Sequence, residues 1–268
     1  MKTEVIERIV NSPSDRRKFI KRVGATGIGV AAATMMGGSF IKAEATNAIT
    51  DTDILNFALN LEYLEAEFYS VATTGKTLVQ LGVLTLAQTT GQTMGGNQIN
   101  FGDSSVSYLA TALRTDEIDH VKYLRAALGS AAVKKPLINL NALGYGFSSV
   151  DDFLKLARQF EDVGVSAYLG AAPMISSKTY LAAAAAILAT EAQHSGSIRL
   201  ECIENDVTSP AVDSLDVPPT ASTPYDVDKN ALSIPRTPSE VLVIVYAGGV
   251  CAGGFYPDGM NGTITCRS

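Results

Sequence analysis

A chain of 268 residues, 46% hydrophobic and 18% charged, is long enough for one sizeable domain with an extension and too apolar for bulk disorder. Its net charge of −6 argues against a nucleic-acid binder. The three cysteines, Cys202, Cys251 and Cys266, form no C-x-x-C spacing, which argues against a thiolate zinc site or a rubredoxin-type iron site.

Residues 1–45 stand apart. Arg16 and Arg17 precede Phe19 and Ile20, a weak apolar run "GATGIGVAAATMMGG" follows, and Ala43-Glu44-Ala45 offers a small-residue cleavage site. This pattern resembles a twin-arginine export signal, and the run is too rich in Gly and Ala for a stable membrane span. The segment holds eight of the 21 basic and four of the 27 acidic residues, so the remainder carries 13 and 23, a net charge of −10. A periplasmic or extracellular location is expected. In an oxidising compartment the cysteines allow one disulfide and leave one thiol, Cys251 with Cys266 being one of the pairings.

Residues 46–205 contain four long helical segments. The first is expected over 53–72, capped by Asp51 or Thr52. The second is expected over 104–128, with Asp103 as cap and Gly129 as stop. The third, over 150–172, follows Ser149-x-x-Asp152, a capping-box pattern, and ends at Pro173. The fourth, over 177–204, includes the alanine run 182–186. The polar connection 73–102 includes "LVQLGVLTLA", a candidate extra helix. The connection 129–148 has to run the length of a bundle. Residues 206–268 are rich in Pro, Ser and Asp and read as an irregular extension. Within it "VLVIVY" forms a helix or strand that packs on the bundle.

Helical periodicity sorts the charges. In the first segment Glu62 and Glu65 share the apolar arc of Phe57, Leu61, Leu64 and Phe68, while Asn60, Tyr63 and Glu67 fall outside it. In the second, Glu117 and His120 lie on the stripe of Leu113, Val121 and Leu124, and Asp116 and Asp119 face solvent. In the third, Glu161 joins Phe153, Ala157 and Phe160, and Asp162 points away. In the fourth, Glu191 and His194 join Ala184, Ile187 and Ile198. Both histidines of the protein thus follow a glutamate by three residues. Acidic residues are 27 of 268, so chance supplies both glutamates about one time in a hundred.

Buried carboxylates without cations cost many kcal/mol or must protonate. Two divalent metal ions remove that cost. Chain order is Glu62, Glu117-x-x-His120, Glu161, Glu191-x-x-His194, the ligand pattern of di-iron and di-manganese bundles. Tyr69 follows Glu62 by seven residues and Tyr168 follows Glu161 by seven, which returns each to its glutamate's face. Both tyrosines can hydrogen-bond ligating carboxylates. Glu65 is a neighbouring acid or an alternative ligand.

The stretches "LNFALNLEYLEAEFYS", "DEIDHVKYLRAALG", "FEDVGVSAYLGAAP" and "ATEAQHSGSIR", with the tail "RTPSEVLVIVYAGG", resemble ferritin-like domain proteins related to plant desiccation-related proteins. The first is also similar to the first ferroxidase helix of ferritins, which favours Glu62 over Glu65 as ligand. The resemblance implies an all-α, ferritin-like four-helix bundle with a two-metal centre of iron or manganese. The expected function is an exported di-metal oxidoreductase of catalase or peroxidase type. It would act on peroxide or dioxygen under oxidative or desiccation stress. A non-catalytic metal-binding or stress-protective role is the alternative, and a homo-oligomer is compatible with either. Catalase chemistry needs no outside electron donor and suits the lack of a rubredoxin-like cysteine set.

Overall fold

The computed structural model describes residues 49–102 and 104–267. Residues 1–45, where an export signal is expected, and the expected Asp103 cap lie outside them. Four long helices form a ferritin-like bundle: α1 Asp51–Thr74, α2 Ser105–Leu128, α3 Val150–Ala171 and α4 Lys178–Glu204. A fifth, α5 Pro238–Val245, belongs to the C-terminal extension. No helix among the described residues is long and apolar enough to cross a membrane.

The ends of the helices follow local chemistry. Thr50, not Asp51 or Thr52, caps α1. Its side chain accepts from the Asp53 N–H, and Asp53 accepts in return from the Thr50 N–H. Gly75, at φ 69°, closes the helix. Ser149 and Ser177 cap α3 and α4 with one bond each, their side chains accepting from the Asp152 and Tyr180 N–H groups. The Asp51 carboxylate accepts from the Ser176 and Ser177 N–H groups at 2.8 and 2.7 Å, tying the starts of α1 and α4 together.

The connection after α1 contains no α-helix. It is a run of turns with a single 3₁₀ turn, Leu86–Gln88, and one short strand, β1 Thr93–Met94. That strand pairs in parallel with β2 Ile138–Asn139 from the α2–α3 connection, Thr93 opposite Ile138. The "LVQLGVLTLA" stretch buries Leu78 and Leu84 against the bundle instead of forming a helical stripe.

These two connections and the extension cover the outer side of α1, so every residue from Ile54 to Ala72 is buried. Asn60, Tyr63 and Glu67 are therefore not on a solvated face. Glu67 accepts the Leu78 N–H, with the buried Lys135 ammonium 3.8 Å away. Tyr63 donates to the Val133 carbonyl, and Asn60 donates to the Asn261 carbonyl. Two-sided burial of this helix comes from segments distant in sequence, which periodicity within α1 does not register.

Asp162 is likewise buried, at 2% exposure. It is held by Arg199 at 2.6 Å and by Ser195 at 2.6 Å. The cause is the extension, which lies over α3 and α4 and is pinned by three buried arginines. Arg158 grips Asp216 and Ser209, Arg199 reaches the Val217 and Pro224 carbonyls, and Arg236 grips Asp213. Gly170 permits this approach, since a Cβ there would lie 1.9 Å from the Arg236 carbonyl oxygen. Cys251 and Cys266 form a disulfide and Cys202 is a buried free thiol. The "VLVIVY" stretch is the helix α5, with Val241, Leu242 and Val245 buried.

Candidate metal centre

The bundle brings Glu62, Glu117, His120, Glu161, Glu191 and His194 to one place at its middle. All four glutamates are fully buried. His120 Nδ1 lies 3.2 Å from Glu62 Oε2, Glu117 Oε2 and Glu191 Oε1. His194 Nδ1 lies 2.9 Å from Glu117 Oε1 and 3.4 Å from Glu161 Oε2. The side chains form two overlapping sets, Glu62–Glu117–His120–Glu191 and Glu117–Glu161–Glu191–His194. Within each set the ligand atoms lie within 4.8 Å of one another. Glu117 and Glu191 belong to both, as bridging carboxylates do.

Metal ions fit this donor set. Glu62 Oε2, Glu117 Oε1, Glu161 Oε2, both Glu191 oxygens and His194 Nδ1 are buried without a well-formed hydrogen bond, a costly condition for polar atoms. All are among the atoms that converge. Four ligand carboxylates balance two divalent ions, and three carboxylates with one imidazole suit iron or manganese. In the metal-free protein the histidines take over the cationic role. Burial opposes a charged His194, but Glu117 and Glu161 outweigh it and raise its pKa to about 12. His120 is raised in the same way by Glu117, Glu191 and Glu62. Burial lifts Glu117 to about 7 against the pull of both histidines.

Glu65 belongs to neither set. It is buried beside the centre, where its Oε1 and Glu191 Oε2 face Gly164. Burial and then the charges of Glu191, Glu117, Glu62 and Glu161 push its pKa well above the ordinary range in the metal-free protein. Tyr69 donates to Glu161 and Tyr168 donates to Glu62. Each tyrosine thus serves the glutamate of the other helix, not its own. Seven residues along one helix is roughly 10 Å of rise, beyond hydrogen-bond reach. The opposed directions of α1 and α3 instead set Tyr69 beside Glu161 and Tyr168 beside Glu62.

One contact corrects the sequence reading. Asp116 is not merely solvated: its Oδ2 lies 3.1 Å from His194 Nε2, and its side chain is 49% exposed. It reaches from α2 across to α4, behind the imidazole whose Nδ1 faces the carboxylates. A signal was available in Asp116-Glu117-x-x-His120, where the acid precedes a ligand by one residue. Asp119 does face solvent, paired with Lys122. The Asp162, Asp216 and Asp226 side chains also converge, but Arg158 and Arg199 already supply cations there.

The pattern of the ferritin-like domain matches residues 50–203, which contain all of α1 and the whole candidate centre. The chain is also similar to a protein named ferritin-like catalase Nec2, from Nesocodon mauritianus. The two are 25% identical over 276 aligned positions, covering 83% of this chain and 88% of the relative. By its sequence match over more than half its length and by its bundle, the chain belongs to the ferritin-like domain family.

Proposed function

We propose that the protein is an exported di-metal carboxylate enzyme that disproportionates hydrogen peroxide, with iron or manganese held by Glu62, Glu117, His120, Glu161, Glu191 and His194. The observation that carries this reading is the pair of three-carboxylate, one-imidazole sets sharing Glu117 and Glu191. A bound pair of redox-active ions supplies the two-electron exchange that converts two peroxides into two waters and one dioxygen. No outside donor is needed. Of the three cysteines two are joined and the third is buried.

The residues of the chain do the rest. The four glutamates are closed to solvent, whereas the side chains of His120 and His194 are 12% and 7% exposed. The α2–α4 side, where the imidazoles lie nearest solvent, is the side from which a small neutral oxidant would approach. Glu65 is a carboxyl group buried beside Glu191 and outside both ligand sets, a position from which it serves the proton transfers of peroxide chemistry. Tyr69 and Tyr168 fix the orientation of Glu161 and Glu62. The similarity to a protein named as a catalase supports peroxide over dioxygen as substrate. The resemblance to desiccation-related proteins supports a role in oxidative or drying stress.

Elemental analysis of the purified protein and oxygen release from peroxide test the reading together. Two ions per chain with rapid oxygen release is expected. Two tightly held ions without turnover would instead assign a non-catalytic, stress-protective metal protein. Metal-free protein that takes up no iron or manganese would reject the centre altogether. For export, a reporter fused to residues 1–48 should leave the cytoplasm, and Arg16→Lys with Arg17→Lys should retain it.

A further inference from the structure

The two halves of the centre repeat one scheme. Asp116-Glu117-x-x-His120 on α2 corresponds to Thr190-Glu191-x-x-His194 on α4. Each terminal glutamate receives one tyrosine hydroxyl, Tyr168 on Glu62 and Tyr69 on Glu161. The repeat breaks at one place. Asp116 crosses from α2 to the outer nitrogen of His194. Its counterpart Thr190 does not return the contact: its hydroxyl turns back to the Ala186 carbonyl of its own helix at 3.4 Å. No described residue hydrogen-bonds His120 Nε2, and this side chain is the more exposed of the two imidazoles.

We infer that the two metal positions are inequivalent, and that the position formed by Glu161, His194 and the two shared glutamates fills first because Asp116 backs its imidazole. This rests on the di-metal reading and adds an order of occupation to it. A carboxylate that accepts the outer N–H of a ligating histidine fixes the tautomer and ring orientation and makes the inner nitrogen a better donor. Loss of such a partner lowers metal affinity by about 10–100-fold. Asp116 is half exposed, so water weakens its effect and the lower end, roughly tenfold, applies here. Asp116 is a positioning residue, acting through His194.

The test uses the full-length protein, stripped of metal with chelator and supplied with cobalt(II) as probe. Anomalous scattering from crystals given one equivalent of cobalt reads the occupancy of each position directly. In the wild type the signal should concentrate at the Glu161–His194 position. Asp116→Thr, which copies the residue at 190, should spread it over both positions and weaken the first step of a cobalt titration about tenfold. Thr190→Asp gives His120 the missing carboxylate and should even out the occupancies by raising the other position, a gain that no general loss of structure produces. Equal occupancy in the wild type, preference for the His120 position, or a preference unchanged in Asp116→Thr would overturn the inference while leaving the two-metal centre standing. Both positions empty at saturating cobalt would reject the centre itself, and the inference with it.

Discussion

Gly164 is the sharpest point at which to perturb the centre without touching a ligand. It sits on α3 opposite Glu191 and Glu65, and an added Cβ would lie 2.7 Å from Glu191 Oε2 and 3.2 Å from Glu65 Oε1. Ordinary contact begins near 3.4 Å, so the Glu191 oxygen must retreat by about 0.7 Å in Gly164→Ala. Ligand distances in metal sites hold to about ±0.2 Å, and Glu191 belongs to both candidate ligand sets. Loss of both ions, or affinity reduced at both positions, is therefore expected. Stability should change far less. The obstructing atoms are carboxylate tips that can swing, an overpacked core costs about 1–3 kcal/mol, and alanine in place of a helical glycine returns about 1 kcal/mol. The net cost is roughly 0–2 kcal/mol, a melting shift of no more than about 8 °C in the metal-free protein. Calorimetric melts of the metal-free protein and elemental analysis after reconstitution measure the two effects separately. A Gly164→Ala protein that holds two ions with wild-type affinity would refute the placement of Glu191 at the shared position.

Three further outcomes follow from the same geometry. Glu65→Gln should keep two ions per chain, because Glu65 lies outside both ligand sets, yet slow peroxide turnover; an unchanged kcat would remove Glu65 from the proton path. Cys266→Ser opens a disulfide whose partners are 15 residues apart and should lower unfolding free energy by about 3 kcal/mol, read by denaturant titration with metal content unaltered; an unchanged midpoint would show that the tail needs no cross-link. Burial and the charges of Asp162 and Asp216 push Asp226 up to about 6 from 3.8. The fold thus favours its protonated form, a contribution present in full below about pH 3.8 and lost as pH rises through about 6. Asp226→Asn should raise the melting temperature at pH 7 more than at pH 4, and equal shifts at both would contradict that assignment.

The buried Glu/His cluster is legible in the sequence because its side chains sit where two periodicities agree. Glu62, Glu117, Glu161 and Glu191 each fall on an apolar stripe, and a charge on such a stripe demands an explanation that a solvated charge does not. The glutamate–histidine spacing then repeats in two helices, which ties the four charges to one place before any tertiary contact is known. The tyrosine seven residues after a glutamate was a weaker signal. It identified the right side chains but paired each with its own helix, since spacing along one helix says nothing of the neighbour running the other way.

The misplaced residues share a different cause. Periodicity within a helix identifies the face that meets the bundle and is silent about what covers the remaining faces. Glu67 and Asn60 fall outside the apolar arc of their helix, and the groups that bury them, Leu78 and Lys135 for the one and the tail around Asn261 for the other, belong to connections that periodicity does not register. Asp162 points away from the stripe of its helix, and nothing near it in sequence announces Arg199, thirty-seven residues on, or the extension that closes over both. Asp116 failed for a subtler reason. One residue from Glu117, it is turned about 100° away from the stripe, which leaves it half in water and still within reach of the next helix. A side chain at the border of a stripe can serve a neighbour's ligand while remaining exposed. The residue before the glutamate of each Glu-x-x-His pair, Asp116 on one helix and Thr190 on the other, is thus the position at which two chemically matched halves of the candidate centre differ.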